Sequence, residues 1–146
     1  METILDTGGS WFLERLLFGD VLDIYIVEGI TSRQPENLNI AGVDLGFAYS
    51  ADITEESRHS LVSFREVLAY HVTTESLAIG DEDEADDNGI LRAYDRSSYL
   101  DFVRSSTRID SLRPGAYAHY RLALVDEVVD VIGETKPTIE TLAVPE

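Results

Sequence analysis

Three histidines, His59, His71 and His119, are the side chains of this sequence best suited to proton transfer or metal ligation near neutral pH. None stands four residues from another and none lies in a His-Glu-x-x-His frame, so the order of residues spells no metal motif. Two of them have similar neighbours, Tyr70-His71 and His119-Tyr120-Arg121, and both segments read as strands. If those strands pair, the two imidazoles meet on one face. Tyr70, His71, His119, Tyr120 and Arg121 would then line a sheet pocket for a small molecule or a metal. The plainer reading is a pair of ordinary surface or half-buried histidines.

The second chemical feature is a run of acids, GDEDEADDNG, from Gly80 to Gly89. With Gly89 at the sixth position of a calcium-binding EF-hand loop, Glu84, Asp86 and Asn88 fall at the first, third and fifth, and Asp95 at the twelfth. The frame fails at both ends. Glu84 is too long for the tight first position, Asp95 reaches less well than Glu, and no paired helices flank the run. The expectation is a solvated acidic loop with no metal and no cofactor. Asp81, Glu82, Asp83, Glu84, Asp86 and Asp87 would be the first contacts for a basic partner.

Other catalytic signatures are missing. The chain has no Cys, which removes thiolate nucleophiles, zinc thiolates and disulfides. It has no Gly-x-Ser-x-Gly elbow, and Gly8-Gly9-Ser10 lacks the lysine of a phosphate-binding loop. Asp126, Glu127 and Asp130 are acids among many and mark no catalytic pair. Arg92, Arg96, Arg104, Arg108 and Arg113 cluster in sequence, but their natural partners are the chain's own acids. The chain reads as a non-enzyme.

Charge sets the strongest bounds. Asp and Glu number 28 against 11 Lys and Arg, a formal net charge of −17. Such a surface repels nucleic-acid phosphates and anionic lipid, and speeds the approach of basic proteins. All but one of the basic residues are Arg, the exception being Lys136. Low Lys with high Asp and Glu is also a habit of salt-adapted proteomes, so the charge has two readings. The N-terminal segment carries acids where a secretion signal needs basic residues, and no stretch approaches about 20 apolar residues. The expectation is a cytoplasmic protein off the membrane.

These residues need a scaffold. With 146 residues, 44% of them apolar, the chain suits a single domain over 1–146, interrupted by the acidic loop 80–89. Ser10 to Phe18 predicts a short capped helix ending at Gly19. Val21–Glu28 predicts a strand covered on both faces, Thr31–Asn39 a loop and Ile40–Ser50 a strand. Leu61–Val72 predicts one long strand with Val62, Phe64, Leu68, Tyr70 and Val72 inward. Ile90–Tyr94 predicts a short strand, and Ser98 caps a helix that buries Tyr99, Leu100, Phe102 and Val103. Tyr117–Val125 and Val128–Ile132 alternate around a break at Asp126, which a hairpin or a bulge would explain. Together these predict an α+β fold, a mainly antiparallel sheet of five to six strands with two short helices. A β-sandwich with peripheral helices is the alternative.

The segments SLVSFREVLAYHV, SSYLDFV and AYAHYRLALVDEVVDVIGETKPTIE give a long strand, a short capped helix and two late strands with a proline-containing tail. In this pattern the chain resembles the small, acidic, cysteine-free bacterial immunity and antitoxin domains. That resemblance implies a non-enzymatic inhibitor of one cognate toxin and assigns no site residue. The reading from the residues is an interaction protein whose acidic surface binds a basic protein. A structural subunit of a phage or envelope assembly and a small-molecule or metal-binding domain stay open beside it.

Overall fold

The computed structural model describes residues 3–6, 10–31, 36–48, 51–79, 89–115 and 117–142. The chain is α+β, with antiparallel sheets and two helices, as the sequence predicts. One sheet takes the order β1 (Ser10–Phe18), β2 (Leu22–Thr31), β6 (His59–Phe64), β11 (Thr138–Leu142), with β5 (Ala51–Asp52) on the end of β2. The other runs β7 (Val67–Thr74), β10 (Glu127–Gly133), β9 (Ala118–Ala123), β8 (Leu91–Tyr94). A separate hairpin joins β3 (Glu36–Ile40) to β4 (Val43–Ala48). The larger sheets share one core, with Ile24, Ile26, Val62 and Phe64 from the first meeting Tyr120, Leu122, Val129 and Val131 from the second. That layering is the one the sandwich alternative named.

The strand count exceeds the five to six predicted, for three physical reasons. First, Ser10–Phe18 is a strand and not a helix. Its register slips between Leu13 and Arg15, so Glu14 is a bulge. Trp11, Leu13 and Leu16 consequently reach the same core, and the three-residue step across the bulge imitates a helical repeat. Second, Leu61–Val72 is two strands in two different sheets. The chain turns at Arg65-Glu66, where Glu66 adopts φ 51°. Val62 and Phe64 are core as predicted, but Leu68 packs beneath the helices and Val72 is exposed. Third, the predicted loop over Thr31–Asn39 contains most of β3, and the turn to β4 is made by Ala41 and Gly42, both at positive φ.

The second sheet carries the helices. α1 (Ser98–Ser106) begins one residue earlier than the capping pattern suggests, because Ser97 and not Ser98 is the cap: its hydroxyl accepts from Leu100 N at 3.0 Å. Tyr99, Leu100 and Val103 are buried and Phe102 points outward. With Ile109 of α2 (Ile109–Leu112) they pack on Ile132 of β10, forming a second, smaller core on the far side of that sheet. β9 and β10 form a hairpin around Asp126, one of the two arrangements the broken pattern allowed.

Candidate functional site

β10 is the central seam of its sheet and reads Val-Val-Asp-Val-Ile over residues 128–132. Val129 and Val131 enter the core between the sheets. Strand alternation sends Asp130 to the opposite face, under α1, where it is 1% exposed. A carboxylate there is tolerated only if it is fully partnered. The register supplies the partners: His71 of β7 and Arg121 of β9 both stand directly opposite Asp130, and His119 lies two residues along from Arg121.

All four lone-pair positions of the carboxylate are used. Arg121 Nε donates to Oδ1 at 2.8 Å and His119 Nε2 reaches the same oxygen at 2.5 Å. His71 Nε2 reaches Oδ2 at 2.9 Å and Arg121 Nη2 donates to it at 3.3 Å. An ionised carboxylate only accepts, so both imidazoles present N–H at Nε2. His119 Nδ1 lies 2.7 Å from the Ser97 hydroxyl. Arg121 Nη1 donates to the carbonyl of Ile79 at 3.0 Å. Tyr99 covers the group, its ring 4.0 Å from that of His71 and edge-on to His119 at 5.3 Å. The cluster thus ties β7, β9, β10 and the first turn of α1 through one buried charge.

The electrostatics follow from the contacts. Burial alone would raise the Asp130 carboxyl. The hydrogen bonds and charges of His119 and Arg121 outweigh it and hold the group at about 2. Burial, and then the charge of Asp130, push the Tyr99 hydroxyl up to about 12. A carboxylate held so low is a poor general base at neutral pH.

Ser97, His119 and Asp130 have the connectivity of a hydrolytic triad, but not its working geometry. The hydroxyl is bound by His119 on one side and by the helix amide on the other, and Ser97 is 5% exposed. His119 is fully buried, which leaves no approach for a substrate carbonyl. Metal binding meets a similar obstacle, since the Arg121 guanidinium occupies the place a cation would take. Among the described residues no group of His, Asp and Glu is arranged to hold a metal ion. What the arrangement does is fix strand register and helix position.

The sheet divides the five residues expected to line a pocket. His71, His119 and Arg121 converge as the pairing argument required, though through β10 and not by direct pairing of their strands. Tyr70 and Tyr120 project to the other face, stacking against Phe18 at 5.1 Å and Phe64 at 5.7 Å. They belong to the core between the sheets, so the five residues do not form one pocket. Asp130, Ser97 and Tyr99 complete the cluster; from sequence Asp130 stood as one acid among many, Tyr99 only as a buried residue of the helix, and Ser97 was not named. The readable signal was an acid at the centre of an otherwise apolar strand. Asp81, Glu82, Asp83, Glu84, Asp86 and Asp87 lie outside the described residues.

Arginine is consumed elsewhere in the same way. Arg58 donates through Nε to buried Glu28 at 3.1 Å and lies over the Trp11 ring. Arg104 pairs with Asp110 at 3.2 Å and Arg113 with Glu134 at 3.4 Å, as expected of the 92–113 cluster. Arg15 lies 4.1 Å over the Tyr25 ring. Among the described residues no helix is long and apolar enough to cross a membrane. No family model matches this chain, and comparison with curated proteins and with solved structures gives no match either.

Proposed function

We propose that this chain is a non-enzymatic interaction protein whose acidic surface binds a basic protein partner. One observation carries the reading: 28 acids stand against 11 basic residues, a formal net charge of −17. Arg58, Arg104, Arg113 and Arg121 are paired with the chain's own carboxylates, and the remaining field is carried by the excess of acids. Such a field draws basic partners and repels nucleic acid and anionic lipid. The polar cluster at Asp130 is saturated by its own neighbours and is read as scaffold. The finer reading, an immunity-type inhibitor of one toxin, rests on the resemblance of the strand and helix segments alone.

The test is affinity capture from the source cells with the immobilised full chain, first at low and then at molar salt. The expected result is one stoichiometric partner with a basic surface, retained at low salt and released by high salt. No stoichiometric partner, or an acidic one held equally in both salts, overturns the proposal.

A further inference from the structure

A cavity of about 630 Å³ opens where β8 and β11, at the edges of the two sheets, face each other. Its volume falls within the range of small-molecule sites. Ile4, Leu91 and Ile139 line it and pack directly on the core between the sheets, so its interior is continuous with that core and apolar. Lys136 also lines it, as does Arg92, whose strand position opposite Arg121 sends its side chain to the other face and whose Nε donates to the Gly89 carbonyl at 2.9 Å. Lys136 is the sole lysine of the chain. Among the described residues no carboxylate lies within ion-pair distance of it.

Tyr120 also lines it, beside the hydroxyl residues Thr3 and Thr141. It is 9% exposed, packs its ring on Phe64, and its hydroxyl has no hydrogen-bond partner among the described residues. The hydroxyl is not sealed from solvent; it opens on the cavity, where a bound group can accept from it. Burial, and then the charge of Asp95, raise its pKa, so it stays protonated and offers a donor. An ammonium and a phenol both offer donors beside an apolar floor.

We infer that the cavity between β8 and β11 binds an amphipathic carboxylate, its apolar body against Ile4, Leu91 and Ile139 and its head on Lys136 and the Tyr120 hydroxyl. An anion must enter against a net charge of −17, so the affinity rests on the apolar body and Lys136 decides which head group is accepted. This is independent of the protein partner proposed above.

Isothermal titration of the full chain with decanoate and, separately, with decanol tests it. One equivalent of decanoate binds, and decanol binds at least tenfold more weakly. Lys136→Gln and Tyr120→Phe each weaken decanoate severalfold, and Tyr120→Phe keeps the ring contact with Phe64. Thr141→Trp, at an exposed position of the lining, fills the mouth and removes binding of both ligands with no change in thermal midpoint. Equal binding of acid and alcohol, indifference of decanoate to Lys136→Gln and Tyr120→Phe, or no heat at the solubility limit each overturns the inference.

Discussion

The two faces of β10 are both buried, and they are held by opposite chemistry. Toward the first sheet, Val129 and Val131 are fully buried among Ile24, Ile26, Val62 and Phe64. Toward α1, Asp130 is buried just as deeply among His71, His119, Arg121 and Ser97. The apolar face gains from every methylene removed from water and tolerates small changes of shape. The polar face gains little net energy, yet removing any one partner leaves a charge or donor stranded. The first face supplies stability. The second specifies which strands flank β10 and where α1 sits.

The largest effect that would break this comparison is expected at Asp130. Asp130→Ala strands Arg121 and His119, and should cost about 3–5 kcal/mol in chemical denaturation. Val131→Ala, on the other face of the same strand, should cost roughly 1–3 kcal/mol. The reverse order would mean that the polar cluster is not closed. Next is acid. The Asp130 carboxyl ionises more readily in the folded chain, so the folded state binds fewer protons than the unfolded one. Its stabilisation is complete above the unfolded carboxyl pKa and disappears as pH falls from about 4 through about 2. Denaturation at pH 6 and pH 2 should show the wild type losing about 2 kcal/mol more than Asp130→Asn across that interval. An equal loss in the two proteins would assign the acid sensitivity to other carboxylates.

Ser97→Ala should cost about 1 kcal/mol, the usual worth of a helix cap, and it also removes the partner of His119 Nδ1. Proton exchange of the Leu100 amide should quicken in the same variant. The smallest effect sharpens the contrast between buried and exposed polar groups. Asp110 and Arg104 pair on the surface, where Tyr117 also donates to Asp110, and the Arg104→Ala variant should unfold with the wild-type midpoint at moderate salt.

The apolar face was legible in the sequence, and the polar face was legible only in pieces. Alternation in Val21–Glu28 and Tyr117–Ile132 gave the strands and their inward residues, because a half-buried strand repeats every two positions. The period failed where geometry broke it. The bulge at Glu14 made a strand look helical, and the sheet crossing at Arg65-Glu66 joined two strands into one apparent run. His71, His119 and Arg121 were identified, but their meeting depends on β10 lying between β7 and β9, which pairwise reading does not supply. Asp130 was set aside as one acid among many, because an acid in so acidic a chain carries little information by type. Its apolar neighbours carried the information instead. Tyr70 and Tyr120 were assigned to the wrong face by adjacency, since neighbours on a strand point apart.

The central claim is that the acidic surface carries the function and the Asp130 cluster carries the fold. Its most direct test compares partner capture by three forms of the chain. These are the wild type, a variant with Asp81, Glu82, Asp83, Glu84, Asp86 and Asp87 changed to their amides, and His71→Gln, which alters the half-exposed member of the cluster. The account predicts that the amide variant keeps its thermal midpoint and loses the basic partner at low salt, and that His71→Gln keeps the partner. Retention by the amide variant together with loss by His71→Gln would contradict it.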